Sequence, residues 1–146
     1  MKKIRFGVIG TGKIVDNFLK AALTHENFEF VAMYSRTLEK AKDFGEKYGA
    51  TKFFDNLESF SKCEDIDAVY IASPNSLHSS QAIMCIKNNK HVLCEKPMAS
   101  NLREVKKMIS LAEEKGVLLM EAMRITVLPN FLREIGRAHV WTPVTR

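Results

Sequence analysis

Cysteine is scarce in this sequence, and long hydrophobic runs are absent from it. The three cysteines, Cys63, Cys85 and Cys94, have spacings that fit neither a metal site nor a redox pair. They therefore predict reduced thiols in a cytoplasmic protein with no bound metal. No segment is long or apolar enough to cross a membrane. The apolar run after Lys3 is short and broken by glycines, unlike the core of a signal peptide.

Charge of one sign is also not concentrated in any stretch. Lysine and arginine total 22 against 17 acidic residues, which gives a formal net charge of +5. Basic and acidic residues alternate in segments such as 38–42 and 103–107, as on a solvated helix face. This pattern predicts no nucleic-acid partner and no membrane partner. A length of 146 residues, of which 46% are hydrophobic, is enough for one domain with its own core.

Strand and helix patterns alternate along most of the chain. Short apolar runs predict strands at residues 4–9, 28–34, 51–54, 67–72, 91–94 and 117–120, with helices between them. Repeated β-α units predict an α/β fold with a doubly wound parallel sheet. The dinucleotide-binding (Rossmann) version of this sheet has the strand order 3-2-1-4-5-6 and binds its ligand across the carboxyl ends of the strands. We assign residues 1–121 to such a domain.

A glycine-rich turn follows the first predicted strand and leads into the first predicted helix. Gly10 allows the chain to reverse, and Gly12 lets a pyrophosphate approach the backbone at the helix N-terminus. The third position of the G-x-G-x-x-G/A fingerprint is Val15 rather than glycine or alanine. An ordinary glycine turn and the nucleoside site of a methyltransferase are the alternatives. The cofactor-binding residues predicted here are Gly10, Thr11, Gly12, Lys13 and Ile14.

The end of the second predicted strand bears on the choice between NAD and NADP. An acidic residue normally holds the ribose hydroxyls at this point, but the sequence reads Ser35-Arg36, with no acid before Glu39. A guanidinium can bind a 2′-phosphate through paired hydrogen bonds, and Lys40 adds charge one turn later. The pattern favours NADP as the cofactor, with NAD as the other possibility. The structural alternative is a surface arginine at a helix start.

The fourth predicted strand ends in Ser73-Pro74-Asn75, and His78 follows shortly afterwards. Strand ends of this kind border the cofactor crevice. We predict that Pro74 holds the turn and that Ser73, Asn75 and His78 belong to the cofactor site. The alternatives are that Asn75 caps the next helix and that His78 is a solvated residue in its first turn.

The fifth predicted strand runs into Glu95-Lys96-Pro97, and here the sequence resembles the Gfo/Idh/MocA family of sugar and cyclitol oxidoreductases. The resemblance extends over residues 3–134 and also rests on the glycine turn, the two strand ends above and Leu119-Met120-Glu121-Ala122. It implies that Lys96 is catalytic, at the nicotinamide and the substrate. It also implies that Pro97 fixes the turn, commonly through a cis bond, and that Glu95 orients the cofactor or the lysine.

The resemblance further implies NAD(P)-dependent hydride transfer to or from a small-molecule substrate, namely a sugar, cyclitol or related polyol. The family's second domain contacts the substrate and commonly forms the interface of a homo-oligomer. Residues 122–134 are predicted to begin that domain, so the chain alone is expected to be inactive. Residues 135–146 lack periodicity and resemble a translated sequencing adapter, which predicts a non-native tail. A genuine C-terminal extension is the alternative.

A rival function on the same fold is a non-catalytic protein that senses NAD(P), because fold alone does not determine function. Such a sensor can dispense with the catalytic lysine, so the presence of Lys96 favours an enzyme. A methyltransferase is disfavoured by the combination of Ser35-Arg36 with Glu95-Lys96-Pro97.

Overall fold

The computed structural model describes residues 3–123, so the predicted tail and nearly all of the predicted second-domain segment lie outside the described residues. Within residues 3–123, six strands alternate with five helices. The strands are β1 (Ile4–Ile9), β2 (Phe28–Tyr34), β3 (Lys52–Phe54), β4 (Ala68–Ile71), β5 (His91–Cys94) and β6 (Leu119–Glu121). The helices are α1 (Lys13–Ala22), α2 (Leu38–Glu46), α3 (Leu57–Lys62), α4 (Asn75–Lys87) and α5 (Leu102–Lys115). None of these described helices has the length and hydropathy needed to span a membrane.

The described strands form one parallel sheet in the order β3-β2-β1-β4-β5-β6. The predicted α/β fold and strand order are confirmed. The strands also end level with one another, since Ile9 pairs with Tyr34 on one side and with Ile71 on the other. The same row continues through Cys94 to Glu121. The segments that follow the strands therefore meet along one edge of the sheet.

The sheet is covered on both faces because its central strands are apolar on both sides. Val8 and Tyr70 belong to the core formed with α1 and α2 on one face. Ile9, Val69 and Ile71 belong to the core formed with α3, α4 and α5 on the other. Each of these five side chains is at most 1% exposed. Neighbouring strand residues point to opposite faces, so a continuous apolar run indicates a strand buried on both sides.

The start of β6 differs from the prediction, which placed it at residue 117. Gly116 caps α5 in a left-handed conformation with a φ of +64°. The Val117 amide then donates to the carbonyl of Ala112 and so completes the end of the helix. Because this amide serves the helix, pairing with β5 begins only at Leu119.

Candidate functional site

The turn between β1 and α1 places Gly10 against the end of β4. Gly10 has a φ of +112°, and a Cβ atom on it would lie 2.4 Å from the carbonyl oxygen of Ala72. A residue with a side chain is strained in this conformation and collides with the backbone. Gly12 differs, because its φ of −82° is ordinary and a Cβ atom would meet nothing within 4 Å. The space beside Gly12 is therefore open to a ligand.

The starts of α1 and α4 differ from those of the other described helices. The side chains of Thr37, Asn56 and Asn101 cap α2, α3 and α5 by accepting a hydrogen bond from a first-turn amide. No side chain caps α1 at Gly12 or α4 at Pro74. These two helices follow β1 and β4, the neighbouring strands at which the order of the sheet reverses. Uncapped amides and the positive end of the helix dipole suit a pyrophosphate, so this edge fits a dinucleotide.

A cavity of about 540 Å³ lies at this edge, between the start of α1 and the ends of β4, β5 and β6. The structure brings together in its lining the predicted site residues Ile14, Ser73, Asn75, His78, Glu95 and Lys96. Ala72, Ala122 and Met123 line it as well. A second hollow, of about 330 Å³ and mostly apolar, lies on the α1 side and shares Ile14, Glu95, Ala122 and Met123 with the first.

The residues predicted to recognise the 2′-phosphate lie outside this cavity, on the other side of the glycine turn. The Gly10 amide donates to the carbonyl of Tyr34 (3.4 Å), so the residues after β2 stand next to the turn. Ser35 is buried, whereas Arg36 and Lys40 are exposed. Neither charged group makes a hydrogen bond or an ion pair with the described part of the chain. Thr11, Pro74 and Pro97 lie in the turns and Lys13 begins α1, and all four are outside the lining of the cavity.

The turn after β5 holds Lys96 at the cavity. The Glu95 carboxylate accepts one hydrogen bond from the Tyr70 hydroxyl (2.7 Å) and another from the Lys96 amide (3.3 Å). Glu121, at the end of β6, accepts a hydrogen bond from the Met98 amide (2.8 Å). The Lys96 side chain is exposed, and its ammonium group has no hydrogen-bond or ion-pair partner among residues 3–123. The lysine is therefore restrained at its backbone, while its charged group remains available to a ligand.

Two residues of this arrangement, Tyr70 and Glu121, were not predicted as site residues. Tyr70 is 1% exposed, and a buried tyrosine hydroxyl usually finds a hydrogen-bond partner, which here is Glu95. Glu121 is an acidic residue at the carboxyl end of a strand, level with the other strand ends. A polar group within or directly after an apolar strand is the sequence signal that identifies both.

His78 lines the cavity with its ring almost entirely buried. It is 1% exposed, so the solvated alternative is wrong. Its Nδ1 lies 2.8 Å from the carbonyl oxygen of Pro97, and its Nε2 lies 2.9 Å from that of Ser73. Both ring nitrogens therefore face the protein backbone, and no polar atom of the ring is left for a cofactor. The Ser73 hydroxyl likewise donates to the Gln81 side chain (2.5 Å), and Asn75 is exposed without capping α4.

The turn that carries Lys96 also contains the cis Lys96–Pro97 peptide bond that the resemblance implies. The neighbouring Cys94 does not supply a nucleophile, because burial raises the pKa of its thiol to about 12 and keeps it protonated near pH 7. Within residues 3–123, no group of three or more histidine, cysteine or acidic residues is arranged to hold a metal ion. The ionisable side chains that line the cavity are those of Glu95, Lys96 and His78.

The sheet, the glycine turn and the uncapped helix starts define a dinucleotide-binding domain of the Rossmann type. The model of the Gfo/Idh/MocA family, an oxidoreductase family with an NAD-binding Rossmann fold, matches residues 4–123. The chain belongs to this family of oxidoreductases, as its motifs predicted.

Relatives of the chain include enzymes with named substrates. It is 51% identical over 145 residues to the scyllo-inositol 2-dehydrogenase (NADP(+)) IolU of Bacillus subtilis, covering 95% of this chain and 44% of that protein. It is 37% identical over 129 residues to the trans-1,2-dihydrobenzene-1,2-diol dehydrogenase of Xenopus laevis, covering 87% of this chain and 39% of that protein.

A solved structure extends the comparison to the fold. KijD10, a 3-ketoreductase from Actinomadura kijaniata in complex with NADP and TDP-benzene, matches with a TM-score of 0.87 at 30% identity. The match covers 95% of this chain and 42% of that one. The chain therefore spans less than half the length of each of these three proteins.

Proposed function

We propose that this chain is the cofactor-binding half of an NAD(P)-dependent oxidoreductase that acts on a sugar, cyclitol or related polyol. The proposal rests chiefly on one edge of the sheet. There Gly12 leaves the start of α1 accessible to a ligand, and Lys96 lines the cavity beside that helix start. The names of the relatives support the substrate class. Scyllo-inositol and the dihydrobenzenediol are both rings with neighbouring hydroxyl groups.

Lys96 is the proposed catalytic residue. Nicotinamide, when bound, supplies or accepts the hydride at the carbon that carries the substrate oxygen. The Lys96 ammonium donates a hydrogen bond to that oxygen and stabilises the negative charge that develops on it during transfer. The Glu95 carboxylate accepts hydrogen bonds from the Lys96 amide and the Tyr70 hydroxyl. It therefore restrains the backbone from which the lysine side chain extends.

NADP is the proposed cofactor, with NAD as the weaker ligand. Arg36 and Lys40 present charges beside the glycine turn that no other described residue neutralises. A 2′-phosphate carries about −1.5 to −2 charges at neutral pH and pairs well with a guanidinium. Two comparisons support this choice, because the Bacillus subtilis relative is named for NADP(+) and the KijD10 structure holds NADP.

Titrating NADPH and NADH against the 146-residue chain tests the cofactor site. We expect NADPH to bind on the order of tenfold more tightly, since one exposed charge-assisted contact contributes less than the 1.5–3 kcal/mol of a well-formed one. Arg36→Ala should remove the preference and leave NADH affinity nearly unchanged. Lys42→Ala, which removes an exposed charge from α2, the helix that follows Arg36, is the matched control. Equal affinities for the two cofactors in the unmutated chain would contradict this assignment of Arg36.

Replacing Lys96 with methionine tests the chemistry. In an enzyme that carries this segment and turns over, kcat should fall roughly 10²- to 10³-fold, the usual loss for one positioned oxyanion donor. Cofactor affinity should change little, because Lys96 is not among the residues that hold the pyrophosphate. Lys87→Met, an exposed lysine on α4, controls for the lost charge. A kcat within a few-fold of the parent would instead favour a nucleotide-sensing protein.

The proposal extends to the domain organisation, the oligomeric state and the compartment of the protein. Residues 1–121 form the cofactor domain, residues 122–134 begin a second domain that selects the substrate, and the full-length form is a homo-oligomer. The three cysteines are free thiols, which supports a reducing compartment such as the cytoplasm.

A further inference from the structure

We propose that His78 is a positioning residue, which holds the turn of Lys96 through a hydrogen bond from Nδ1 to the carbonyl oxygen of Pro97. The inference rests on the proposed function, because it gives His78 the task of placing the lysine and the nicotinamide half of the cofactor. Its basis is a polar ring that is 1% exposed and contacts backbone atoms of two different turns.

The two contacts join segments that are far apart in the sequence. Ser73 follows β4, and Pro97 belongs to the turn after β5. His78 lies in the first turn of α4, between the two carbonyl oxygens at 2.8 Å and 2.9 Å. A neutral imidazole carries one N–H and donates to one of these oxygens at a time, whereas the cation donates to both. The ring therefore links the start of α4 to the turn that carries the lysine.

The Pro97 contact acts on the backbone next to Lys96. Before the proline, the Glu95 carboxylate accepts a hydrogen bond from the Lys96 amide, and after it, Glu121 accepts one from the Met98 amide. Both of those contacts hold amide groups, whereas His78 holds a carbonyl oxygen. Loss of the Nδ1 bond frees the Pro97 carbonyl from its contact with α4. The nicotinamide half of a dinucleotide should sense that change more than the adenosine half, which binds on the β2 side.

Two substitutions that introduce amide side chains distinguish the roles of the two ring nitrogens. His78→Asn keeps a donor near the position of Nδ1, and His78→Gln keeps one near the position of Nε2. Binding of NADPH and of 2′,5′-ADP, which is the adenosine half alone, is measured for the 146-residue chain and both variants. We expect the Asn variant to retain the ratio of the two affinities. The Gln variant should bind NADPH roughly five- to tenfold more weakly, the usual effect of one hydrogen bond, with 2′,5′-ADP within about twofold of the parent.

Asn88→Ala is the matched control for stability. Asn88 lies at the opposite end of α4 and donates to Ser61 and to the Met84 carbonyl, away from the cavity. This variant should lower the urea midpoint without changing the ratio of affinities. The inference is overturned if the Asn and Gln variants give the same ratio, or if the ratio simply follows the urea midpoint. If the unmutated chain binds neither NADPH nor 2′,5′-ADP, the proposed function fails, and the inference fails with it.

Discussion

Replacing Gly12 with alanine should leave the chain folded and remove most of its affinity for NADPH. The backbone at Gly12 already has dihedral angles that alanine adopts, and an added Cβ atom would meet no protein atom within 4 Å. The new methyl group would occupy the open space beside the uncapped start of α1. A pyrophosphate could then no longer approach the first-turn amides of that helix.

The size of both effects follows from the same geometry. Alanine is a poorer N-cap than glycine, which costs up to about 1 kcal/mol. Its smaller freedom in the unfolded chain offsets about 0.4–1 kcal/mol of that loss. The free energy of unfolding should therefore stay within about 1 kcal/mol of the parent. Losing one charge-assisted hydrogen bond to phosphate costs about 1.5–3 kcal/mol, which raises the dissociation constant roughly 10- to 100-fold.

Gly10→Ala provides the contrasting variant. Here the φ of +112° is strained for alanine, and the Cβ atom would lie 2.4 Å from the Ala72 carbonyl oxygen. This change should lower stability by at least about 2 kcal/mol. Urea unfolding and NADPH fluorescence titration, run on both variants, separate the two roles. A folded Gly12→Ala variant that binds NADPH as tightly as the parent would refute a pyrophosphate site at this turn.

Two further predictions concern ionisable groups that have no part in the proposed chemistry. Hydrogen bonds from the Lys20 ammonium, which has the larger effect, and from the Tyr48 hydroxyl hold the pKa of Asp16 well below its usual range. The ionised Asp16 carboxylate therefore stabilises the fold above pH 4, and this stabilisation is lost as the pH falls toward the lowered pKa. Asp16→Asn should thus flatten the decline of the urea midpoint below pH 4, and an unchanged decline would contradict the assignment. Burial raises the pKa values of Cys85 and Cys94 to about 12, so both thiols should resist alkylation at pH 8 until urea unfolds the chain, as measured by mass spectrometry.

The order of the sheet could be predicted because each strand carries its own signal. The apolar runs around Val8 and Tyr70 indicate strands buried on both sides, and short β-α connections allow few arrangements. The level ends of those strands then place Gly10, Ala72 and Glu95 at one edge. For this reason a motif after a strand is a useful guide to the site, even without knowledge of side-chain contacts.

The contacts within the edge could not be predicted in the same way. His78 bonds to backbone carbonyls, and every residue has such a group, so no side-chain pattern marks the partner. The Tyr70–Glu95 and Met98–Glu121 bonds join residues separated by 25 and 23 positions. They depend on the path of each turn after its strand, which local periodicity does not determine. The same limit explains why the burial of the His78 ring between two turns was not predicted.

The missing caps of α1 and α4 have a consequence for the folding equilibrium. An absent side-chain cap costs a helix up to about 1 kcal/mol, and only a few tenths where glycine is the N-cap, so the chain without cofactor forgoes some stability at the starts of α1 and α4. A bound pyrophosphate supplies the missing acceptor, and ligand that binds only the native state adds about 2.7 kcal/mol at a concentration of 100 dissociation constants. The dinucleotide thus completes the fold as well as occupying the site. The cell's supply of cofactor would then set how much of this protein survives unfolding and proteolysis.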